Sequence, residues 1–407
     1  MLLNPFREMI HLFINALAAS AGGGLTYVRN VLPRLAIRDD VRTTLLVGEA
    51  LHGEITESAY VTIMQGPDSA SSATRFWYEQ SNLPQILSRS GADVLLSTGN
   101  FALYRSPVPQ ILLSRNALYT SADFLRDVRD RGDYRLWLDT KIKAKFARWS
   151  VRAADCTVAP SEAFAADLRQ WTGRDVVCIH HGFDRETFFG GQDPLPPNVQ
   201  ARLAAADGSL RLLFVSHYNY YRNFETLIRA IAILKEKLHP RTVRLMLTCK
   251  LDSKDNPGDY RAAAAADLVR QLKLGDEVVE LGAVPYALLH HLYRACDLYV
   301  TPAYAETFAH PLVEAMASGL PVIASDLAVH REICGRSALY FPRFSPELLA
   351  GNVVQVTRSA EQAAAMRETG IARSRDFSWD KHVDELLLLA RDLAEPSYAS
   401  RKIISQS

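Results

Sequence analysis

The chain has 407 residues, of which 48% are hydrophobic and 22% charged, and its formal net charge is +1. One hydrophobic core rarely grows beyond about 250–300 residues, so this length indicates two or three domains. The near-neutral charge provides no field that would attract nucleic acid, and we expect no nucleic-acid partner. Five scattered cysteines without a CxxC pair indicate neither a disulfide framework nor a zinc site. This usage favours a reducing compartment, the cytoplasm.

The N-terminal residues up to Ala21 are partly typical of a secretory signal, because an apolar run follows Arg7. Glu8, His11 and Asn15 interrupt that pattern. The same residues fit a buried strand from Ile10 to Ala16, which is the interpretation we prefer. No apolar run reaches ~18 residues, so the sequence predicts no membrane-spanning helix.

A glycine loop, Ala21–Gly24, follows this strand and precedes a helical pattern from Leu25 to Leu35. A strand, a glycine loop and a helix in this order can cradle phosphate. It is not a dinucleotide-binding fingerprint, because Tyr27 stands where the third glycine would be. Gly23 and Gly24 are therefore candidate ligand-binding residues. A tight turn that needs positive φ angles remains the alternative.

Further strands then alternate with helical or irregular segments, which predicts a parallel sheet flanked by helices. The strands are Thr43–Val47, Val61–Met64, Val94–Ser97 and Gln110–Leu113. Ligands bind beyond the carboxyl ends of such strands. Two strand ends, Ser97–Asn100 and Ser114–Asn116, are therefore of interest. Asn116 can donate a hydrogen bond to a ligand hydroxyl but cannot act as a general base.

Residues 137–152 form a basic segment with apolar residues at nearly helical spacing. Residues 141–152 hold five basic and no acidic side chains, and Trp137, Ile142, Phe146 and Trp149 supply the apolar positions. A basic amphipathic helix can lie on an anionic membrane surface. The alternative is a helix that packs its aromatic side chains into the domain and exposes its lysines.

A stretch rich in glycine and proline, residues 190–207, separates two α/β series, so we predict domains at 1–190 and 208–376. Just before it, His180 and His181 are adjacent on an extended segment and face opposite ways, and no carboxylate triad accompanies them. We therefore predict no metal site. The strands of the second series are Leu210–Ser216, Arg244–Thr248, Val278–Leu281, Asp297–Thr301, Pro321–Ser325 and Ala338–Pro342.

The most informative stretch is 301–326, where Glu306 follows a strand and Glu314 lies inside a short predicted helix. Pro311 suits the first turn of that helix, and Gly319 suits its end. We expect the N–H groups at the helix start, around Phe308, Ala309 and His310, to form an anion cradle. Two carboxylates beside a phosphate would be repelled by it, so they are suited to accept hydrogen bonds from hydroxyls. A nucleotide sugar has phosphate in the middle and hydroxyls at both ends.

The pair Glu306 and Glu314, continuing as EAMASGLPVIAS, resembles the donor-site signature of family-four glycosyltransferases, which are retaining enzymes of the GT-B fold. The resemblance implies two Rossmann-like α/β/α domains facing a central cleft, with a last helix, 377–394, that returns to the first domain. It also implies that no metal or other cofactor is needed. Two departures are visible. Thr307 and Ala309 stand where the family often has Gly-Phe-Gly, and Arg115-Asn116 stands near a frequent histidine.

Roles follow from the resemblance. Glu306 contacts the transferred sugar, and Glu314 holds the ribose hydroxyls. Arg222 takes part in catalysis and binds the diphosphate together with His217. Arg222 can bind phosphate bidentately, whereas His217 contributes less because histidine is often neutral near pH 7. Asn116 is the third candidate catalytic residue. The remaining donor-binding candidates are Gly23, Gly24, Phe308, Ala309, His310, Gly282 and Val284.

We therefore predict a retaining glycosyltransferase that moves a sugar from a nucleotide-diphosphate sugar to a glycan or lipid-linked acceptor, in polysaccharide or cell-envelope biosynthesis. We expect it in the cytoplasm, with peripheral contact to the inner membrane face through residues 137–152. The alternative is a non-catalytic nucleotide-sugar or glycan-binding protein on the same scaffold. A nicotinamide oxidoreductase is disfavoured by the missing dinucleotide fingerprint.

Overall fold

The computed structural model describes residues 9–19, 22–67, 71–256 and 260–395. The chain divides into two compact units. The first takes its described residues from Met1–Thr120, Leu138–Gly182 and Trp379–Ser407, and the second from Ser121–Trp137 and Phe183–Ser378. Each unit is built on a parallel β-sheet, which confirms the predicted α/β class.

Up to residue 182, most strands are followed by a helix. The strands are β1 (Ile10–Asn15), β2 (Val41–Val47), β3 (Val61–Gln65), β4 (Val94–Ser97), β5 (Gln110–Leu113), β6 (Cys156–Ala159) and β7 (Val177–Cys178). The helices are α1 (Gly22–Ala36), α2 (Glu49–His52), α3 (Ser72–Ser90), α4 (Ala122–Asp130), α5 (Tyr134–Ala153) and α6 (Glu162–Thr172).

Strands and helices then alternate from Leu210 to Phe341, and three helices follow the last strand. The strands are β8 (Leu210–Phe214), β9 (Val243–Leu247), β10 (Val278–Glu280), β11 (Leu298–Thr301), β12 (Val322–Ser325) and β13 (Ala338–Phe341). The helices are α7 (Arg185–Phe189), α8 (Pro197–Ala204), α9 (Phe224–Lys237), α10 (Ala263–Gln271), α11 (Leu289–Ala295), α12 (His310–Ala317), α13 (Ala328–Cys334), α14 (Pro346–Arg358), α15 (Ala360–Ser374) and α16 (Trp379–Ala394).

The sheet of the first unit has the order β3–β2–β1–β4–β5–β6–β7, and its strands pair in parallel. Ile14 of β1 is opposite Leu45 of β2 on one side and Leu96 of β4 on the other. The chain order reverses between β1 and β4. Such a switch point is where open α/β sheets bind ligands, beyond the carboxyl ends of the strands.

Strand β1 is buried along its whole length, which explains its near-continuous apolar sequence. Its two polar residues have partners. His11 Nε2 lies 2.8 Å from Thr44 Oγ1, and Asn15 Nδ2 donates to Glu79 Oε1 at 3.1 Å. His11 and Asn15, two of the residues that interrupt the signal-like pattern, therefore fit a buried strand, because a buried polar group is tolerated when it is hydrogen-bonded. Glu8 lies outside the described residues.

The glycine segment differs from the prediction. Helix α1 already begins at Gly22, so Gly23 and Gly24 lie in its first turn and not in a preceding loop; Ala21 lies outside the described residues. Neither glycine has a positive φ angle, so the tight-turn alternative is wrong. A Cβ on Gly24 would lie 3.1 Å from the Cα of Ala19. Close passage of the backbone accounts for this glycine.

Helix α16 belongs to the first unit although it comes last in the sequence. Its buried face includes Trp379, Val383 and Leu387, which share one core cluster with residues of β1 and α1. Arg391 forms a 2.7 Å ion pair with Asp40 at the edge of this contact. The apolar stripe of the helix thus has a partner surface.

Residues 121–137, which fall inside the predicted first domain, lie in the second unit. Arg131 forms a 2.8 Å ion pair with Glu225 of α9. The hydroxyl of Tyr304 donates to Asp127 Oδ2 at 2.6 Å. These partly buried contacts attach the segment to the second sheet, and nothing in its local sequence distinguishes it from its neighbours.

The second sheet has the order β10–β9–β8–β11–β12–β13, with parallel pairing throughout. The order reverses between β8 and β11, where Leu213 is opposite Tyr299. The loops that follow these two strands are therefore neighbours at the carboxyl edge of the sheet. Arg222 lies beyond β8, and Glu306 lies beyond β11.

The predicted strands of this sheet begin and end within two residues of the observed ones. Buried parallel strands leave continuous apolar runs in the sequence, which makes them easy to locate. None of the helices in the described part of the chain combines the length and apolar character required to span a membrane.

Candidate active site

Hydrogen bonds hold the loop after β8 against the loop after β11. The N–H of Tyr304 donates to the carbonyl of Tyr221 at 2.9 Å. The side-chain amide of Asn223 donates to the carbonyl of Pro302 at 3.1 Å. Asn223 has a φ angle of 57°, a left-handed conformation that asparagine tolerates better than most residues. The two loops are thus fixed in one arrangement.

Arg222 and Glu306 form an ion pair where these loops meet. The Arg222 side chain is 19% exposed and that of Glu306 is 9% exposed, so water screens the pair only partly. The guanidinium carbon also lies 5.4 Å from the centre of the Tyr221 ring. A cation and an anion are therefore presented side by side at the switch point of the sheet.

Helix α12 begins directly after this pair, at His310, with Pro311 in its first turn. The N–H groups at the start of an α-helix have no partner within the helix and carry the positive end of its dipole. Gly319, with a φ angle of 70°, follows the end of the helix in the left-handed conformation that glycine favours. The predicted helix and its two boundary residues are confirmed.

Glu314 lies one turn inside α12 and is 5% exposed. Its Oε2 accepts a hydrogen bond from the Tyr293 hydroxyl at 2.8 Å. Burial raises the pKa of Glu314 to about 7, although the Tyr293 hydrogen bond opposes the shift. Such a carboxyl group can accept hydrogen bonds from ligand hydroxyls, and burial strengthens those bonds.

Other predicted donor-binding residues lie around this centre. The Phe308 ring is buried and packs edge-on against Phe377 at 5.4 Å, so the ring itself has a packing role. Desolvation, with a smaller contribution from the Arg222 charge, lowers the pKa of His217, which leaves its imidazole neutral near pH 7. Gly282 and Val284 follow β10, at the same carboxyl edge of the sheet.

Two family models match the chain. The model for Glycosyltransferase Family 4 matches residues 21–187, and the model for Glycosyl transferases group 1 matches residues 197–373. One match covers most of the first unit and the other most of the second. The chain belongs to the family-four, group 1 glycosyltransferases.

Relatives of known name within this family are similar over part of their length. The D-inositol 3-phosphate glycosyltransferase of Thermobifida fusca is 27% identical over 60% of this chain, and that of Kineococcus radiotolerans is 29% identical over 62%. The chain spans 56% and 60%, respectively, of the length of these two relatives.

Solved structures of similar fold cover nearly the whole chain. The sucrose-phosphate synthase of Thermosynechococcus elongatus has a TM-score of 0.72 and 19% identity, over 94% of this chain and 99% of that one. The Anabaena protein Alr3699/HepE, in complex with UDP and glucose, has a TM-score of 0.68 and 18% identity, over 94% of this chain and 100% of that one. The fold of this family member is therefore GT-B, as predicted.

Ala309 occupies a position where the family often has glycine, and its backbone explains that preference. Its φ angle is 65°, in the left-handed region that an alanine adopts only at a cost of roughly 1 kcal/mol. The loop therefore keeps a glycine-like conformation without glycine. The backbone geometry at the helix start does not require the missing glycine, but the alanine places a methyl group there.

In the first unit, Arg115 ties the start of α1 to the end of β4. Its guanidinium donates to the carbonyls of Gly23 and Thr98 at 2.7 and 2.8 Å, and lies 5.1 Å from the centre of the Tyr27 ring. Arg115, which lies near the position of the frequent family histidine, thus links these two backbone segments. It also accounts for the position of Gly23.

Asn116, predicted as a catalytic residue, caps a short turn. Its side-chain oxygen accepts a hydrogen bond from the N–H of Leu118 at 3.0 Å. The amide N–H groups remain suited to donate to a ligand hydroxyl. The structure therefore assigns the oxygen a local role, and the catalytic role of Asn116 stays a prediction.

Two residues that shape the site, Asn219 and Tyr293, are absent from the candidates predicted from the sequence. Asn219 accepts a hydrogen bond from the N–H of Arg222 at 3.1 Å and so closes the turn that carries the arginine. Tyr293 stacks on Tyr299 and also donates a hydrogen bond to Glu314. Asparagine before a turn is a recognisable local signal, whereas the tyrosine contact joins residues 21 positions apart.

We expect Glu314→Gln to stabilise the protein much more at pH 8 than at pH 5. The folded pKa of Glu314 is raised from 4.5 to about 7, which corresponds to roughly 3 kcal/mol. A raised pKa means that the stability contribution is complete below pH 4.5 and is lost as pH rises through about 7. Glutamine does not ionise, so only the wild type incurs this loss.

The measurement is thermal unfolding of both proteins at the two pH values. Glu361→Gln, a neutralisation on an exposed helix start, is the control and should change little at either pH. An equal effect of Glu314→Gln at pH 5 and pH 8 would show that ionisation of the Glu314 carboxyl group does not lower the stability of the folded protein.

Proposed function

We propose that this protein is a retaining glycosyltransferase that takes its sugar from a nucleotide-diphosphate donor. The observation that carries the proposal is the group formed by Arg222, Glu306, Glu314 and the start of α12 at one switch point. The group offers positive charge that can bind a diphosphate. On either side of that charge is a carboxylate that can accept hydrogen bonds from hydroxyls. That order matches the order of groups along a nucleotide sugar.

In this proposal each group has one task. Glu314 accepts hydrogen bonds from the ribose hydroxyls, while Arg222 and the N–H groups of α12 bind the diphosphate. Glu306 accepts hydrogen bonds from the sugar. Before the donor binds, Glu306 neutralises Arg222. When it binds, the diphosphate takes over the guanidinium, and Glu306 becomes available to the sugar.

The chemistry we propose is a front-face substitution. The bond between the anomeric carbon and the diphosphate oxygen breaks, and the acceptor oxygen bonds to the same face of that carbon. The acceptor proton passes to the departing diphosphate. Negative charge grows on the diphosphate, and Arg222 and the helix start stabilise it in place. The residues we assign require no metal ion for this step.

The acceptor we propose is a hydroxyl of a glycan, a lipid-linked glycan or a phosphorylated polyol, in polysaccharide or cell-envelope biosynthesis. The last class is suggested by the name of the relatives, D-inositol 3-phosphate glycosyltransferase. Candidate contacts in the first unit are Asn116, Gly23 and Gly24.

The test is a turnover assay with uridine, guanosine, thymidine and cytidine diphosphate sugars and a panel of acceptors. We expect release of one nucleoside diphosphate, and a product whose anomeric configuration, measured by NMR, equals that of the donor. An inverted product would refute the retaining mechanism. Tight donor binding without turnover on any acceptor would instead support the non-catalytic alternative.

We further propose that the first unit touches an anionic bilayer through an aromatic patch, defined as Trp77, Tyr104 and Trp149 with the rings between them. These three side chains are 67%, 38% and 54% exposed, and Ile142 beside them is 47% exposed. The rings of Phe76 and Phe146 lie 5.5 Å apart and link the three. Exposed rings next to basic side chains suit a membrane interface.

The basic side chains lie on α5, the helix that also carries Ile142 and Trp149. Lys141, Lys145 and Arg148 are exposed, and each can contribute roughly 1 kcal/mol near an anionic surface. Only part of the predicted segment faces solvent, because Trp137 and Phe146 are half-buried. The aromatic surface therefore extends beyond 137–152 to Trp77 and Tyr104.

We expect the protein to sediment with phosphatidylglycerol vesicles and not with phosphatidylcholine vesicles. Trp77→Ser combined with Trp149→Ser should abolish this binding. Leu388→Ser is the matched control, because Leu388 is 54% exposed on α16, outside the patch. Unchanged vesicle binding by the double variant would refute the membrane role. If the double variant instead lost binding to soluble glycans, the patch would be a surface on which sugars stack.

A further inference from the structure

The buried contact between Tyr293 and Glu314 points to a residue that the proposed function does not use. The Tyr293 hydroxyl is 2.8 Å from Glu314 Oε2, and both side chains are buried. A second acceptor, the carbonyl of Pro311, lies 3.4 Å from the same hydroxyl. Tyr293 comes from α11 and its two partners from α12, so the contact joins neighbouring helices.

The Tyr293 ring is held firmly. It stacks on the Tyr299 ring of β11, with centroids 5.8 Å apart and planes 25° apart. Burial, and then the charge of Glu314, raise the pKa of Tyr293 well above its usual value. The hydroxyl therefore remains protonated and acts as a hydrogen-bond donor of fixed position.

This donor occupies only one of the two Glu314 oxygens. Among the described residues, Oε2 of Glu314 accepts from Tyr293, and no hydrogen bond to Glu314 Oε1 is found. A carboxylate with one oxygen fixed cannot rotate freely, so the direction of the other is fixed as well. Oε1 is then available to a ligand in one orientation.

We propose that Tyr293 is a positioning residue that orients Glu314 to bind the ribose diol of the donor and so makes the site selective for ribonucleotides. The inference rests on the proposed function, because it assumes that a nucleotide binds at Glu314. Tyr293 touches no reacting atom. It acts through Glu314, whose carboxylate loses its fixed orientation when the hydroxyl is removed.

Two other tyrosines surround the same carboxyl group. Burial, and in smaller part the Glu314 charge, raises the pKa of Tyr286, in the turn before α11, and of Tyr299. Neither hydroxyl bonds Glu314 in the described structure. Tyr293 is thus the tyrosine whose removal should change the orientation of the carboxylate.

The test is calorimetric binding of UDP, GDP and CDP, each compared with its 2′-deoxy form. We expect the wild type to bind the ribose form of one of them about tenfold more tightly than its deoxy form. Tyr293→Phe should bind both forms equally, at about the deoxy affinity. In turnover, the same variant should raise the donor KM with little change in kcat.

The control is Tyr340→Phe, which removes a hydroxyl that donates to the Gly335 carbonyl at 2.7 Å in the same unit. It should keep the discrimination. A double variant guards against a folding defect: if Tyr293 acts through Glu314, Tyr293→Phe should have no further effect on ribose discrimination in a Glu314→Ala background.

Two failures are distinguishable. Tenfold discrimination retained by Tyr293→Phe would overturn the positioning role and leave the proposed function intact. No binding of any nucleoside diphosphate to the wild type would overturn the proposed function, and the inference with it.

Discussion

Glu306→Gln should lower kcat by about 10²–10³-fold and leave the donor KM within a few-fold of the wild type. Glutamine keeps the shape of the side chain but removes its charge, and with it the strong acceptor for sugar hydroxyls. The loss should fall on kcat, because these hydrogen bonds strengthen as the sugar becomes electron-poor in the transition state. The measurement is steady-state turnover of the best donor and acceptor.

Glu361→Gln serves as the control, since it removes an exposed carboxylate of the same unit. It should retain wild-type kcat. Near-normal turnover by Glu306→Gln would remove the basis for the assigned catalytic centre, because no other group in the proposal contacts the transferred sugar.

Arg222→Met should reduce both activity and stability. The diphosphate loses its cation, which we expect to lower kcat/KM by about 10²–10³-fold. Glu306 is left 9% exposed without its partner, and removing one member of such a pair costs about 2–3 kcal/mol of unfolding free energy. Turnover and thermal unfolding measure the two effects separately.

A double variant distinguishes the two effects. Arg222→Met combined with Glu306→Gln removes the unpaired charge, so stability should recover although activity does not. Arg222→Lys should recover part of the activity, because it keeps the charge but not the bidentate geometry. Equal instability of the single Arg222→Met variant and the double variant would contradict the assigned ion pair.

The sequence predicted the second sheet well because its strands are buried on both faces. Their apolar runs, such as residues 298–301, have few alternatives, and Gly319 marks the end of α12 plainly. The start of α1 was misplaced because three consecutive glycines suggest a loop. In the structure, Gly22 begins the helix. Of the three glycines, Gly24 is explained by its close packing on Ala19.

Contacts between distant residues were beyond the reach of local patterns. The ion pair of Arg222 with Glu306 joins two loops that are neighbours only because the sheet reverses its order between them. The hydrogen bond of Tyr293 to Glu314 joins residues of two different helices. The position of residues 121–137 depends likewise on contacts of Asp127 and Arg131 with the second sheet.

The most direct measurement is a thermal-shift panel of uridine, guanosine, thymidine and cytidine diphosphate sugars on the wild type and on Glu314→Ala. At about 100 times its Kd, a bound donor should stabilise the protein by roughly 2.7 kcal/mol. We predict that at least one donor raises the unfolding temperature of the wild type and fails to do so for Glu314→Ala. No shift with any donor, or the same shift in both proteins, would contradict a donor site at Glu314.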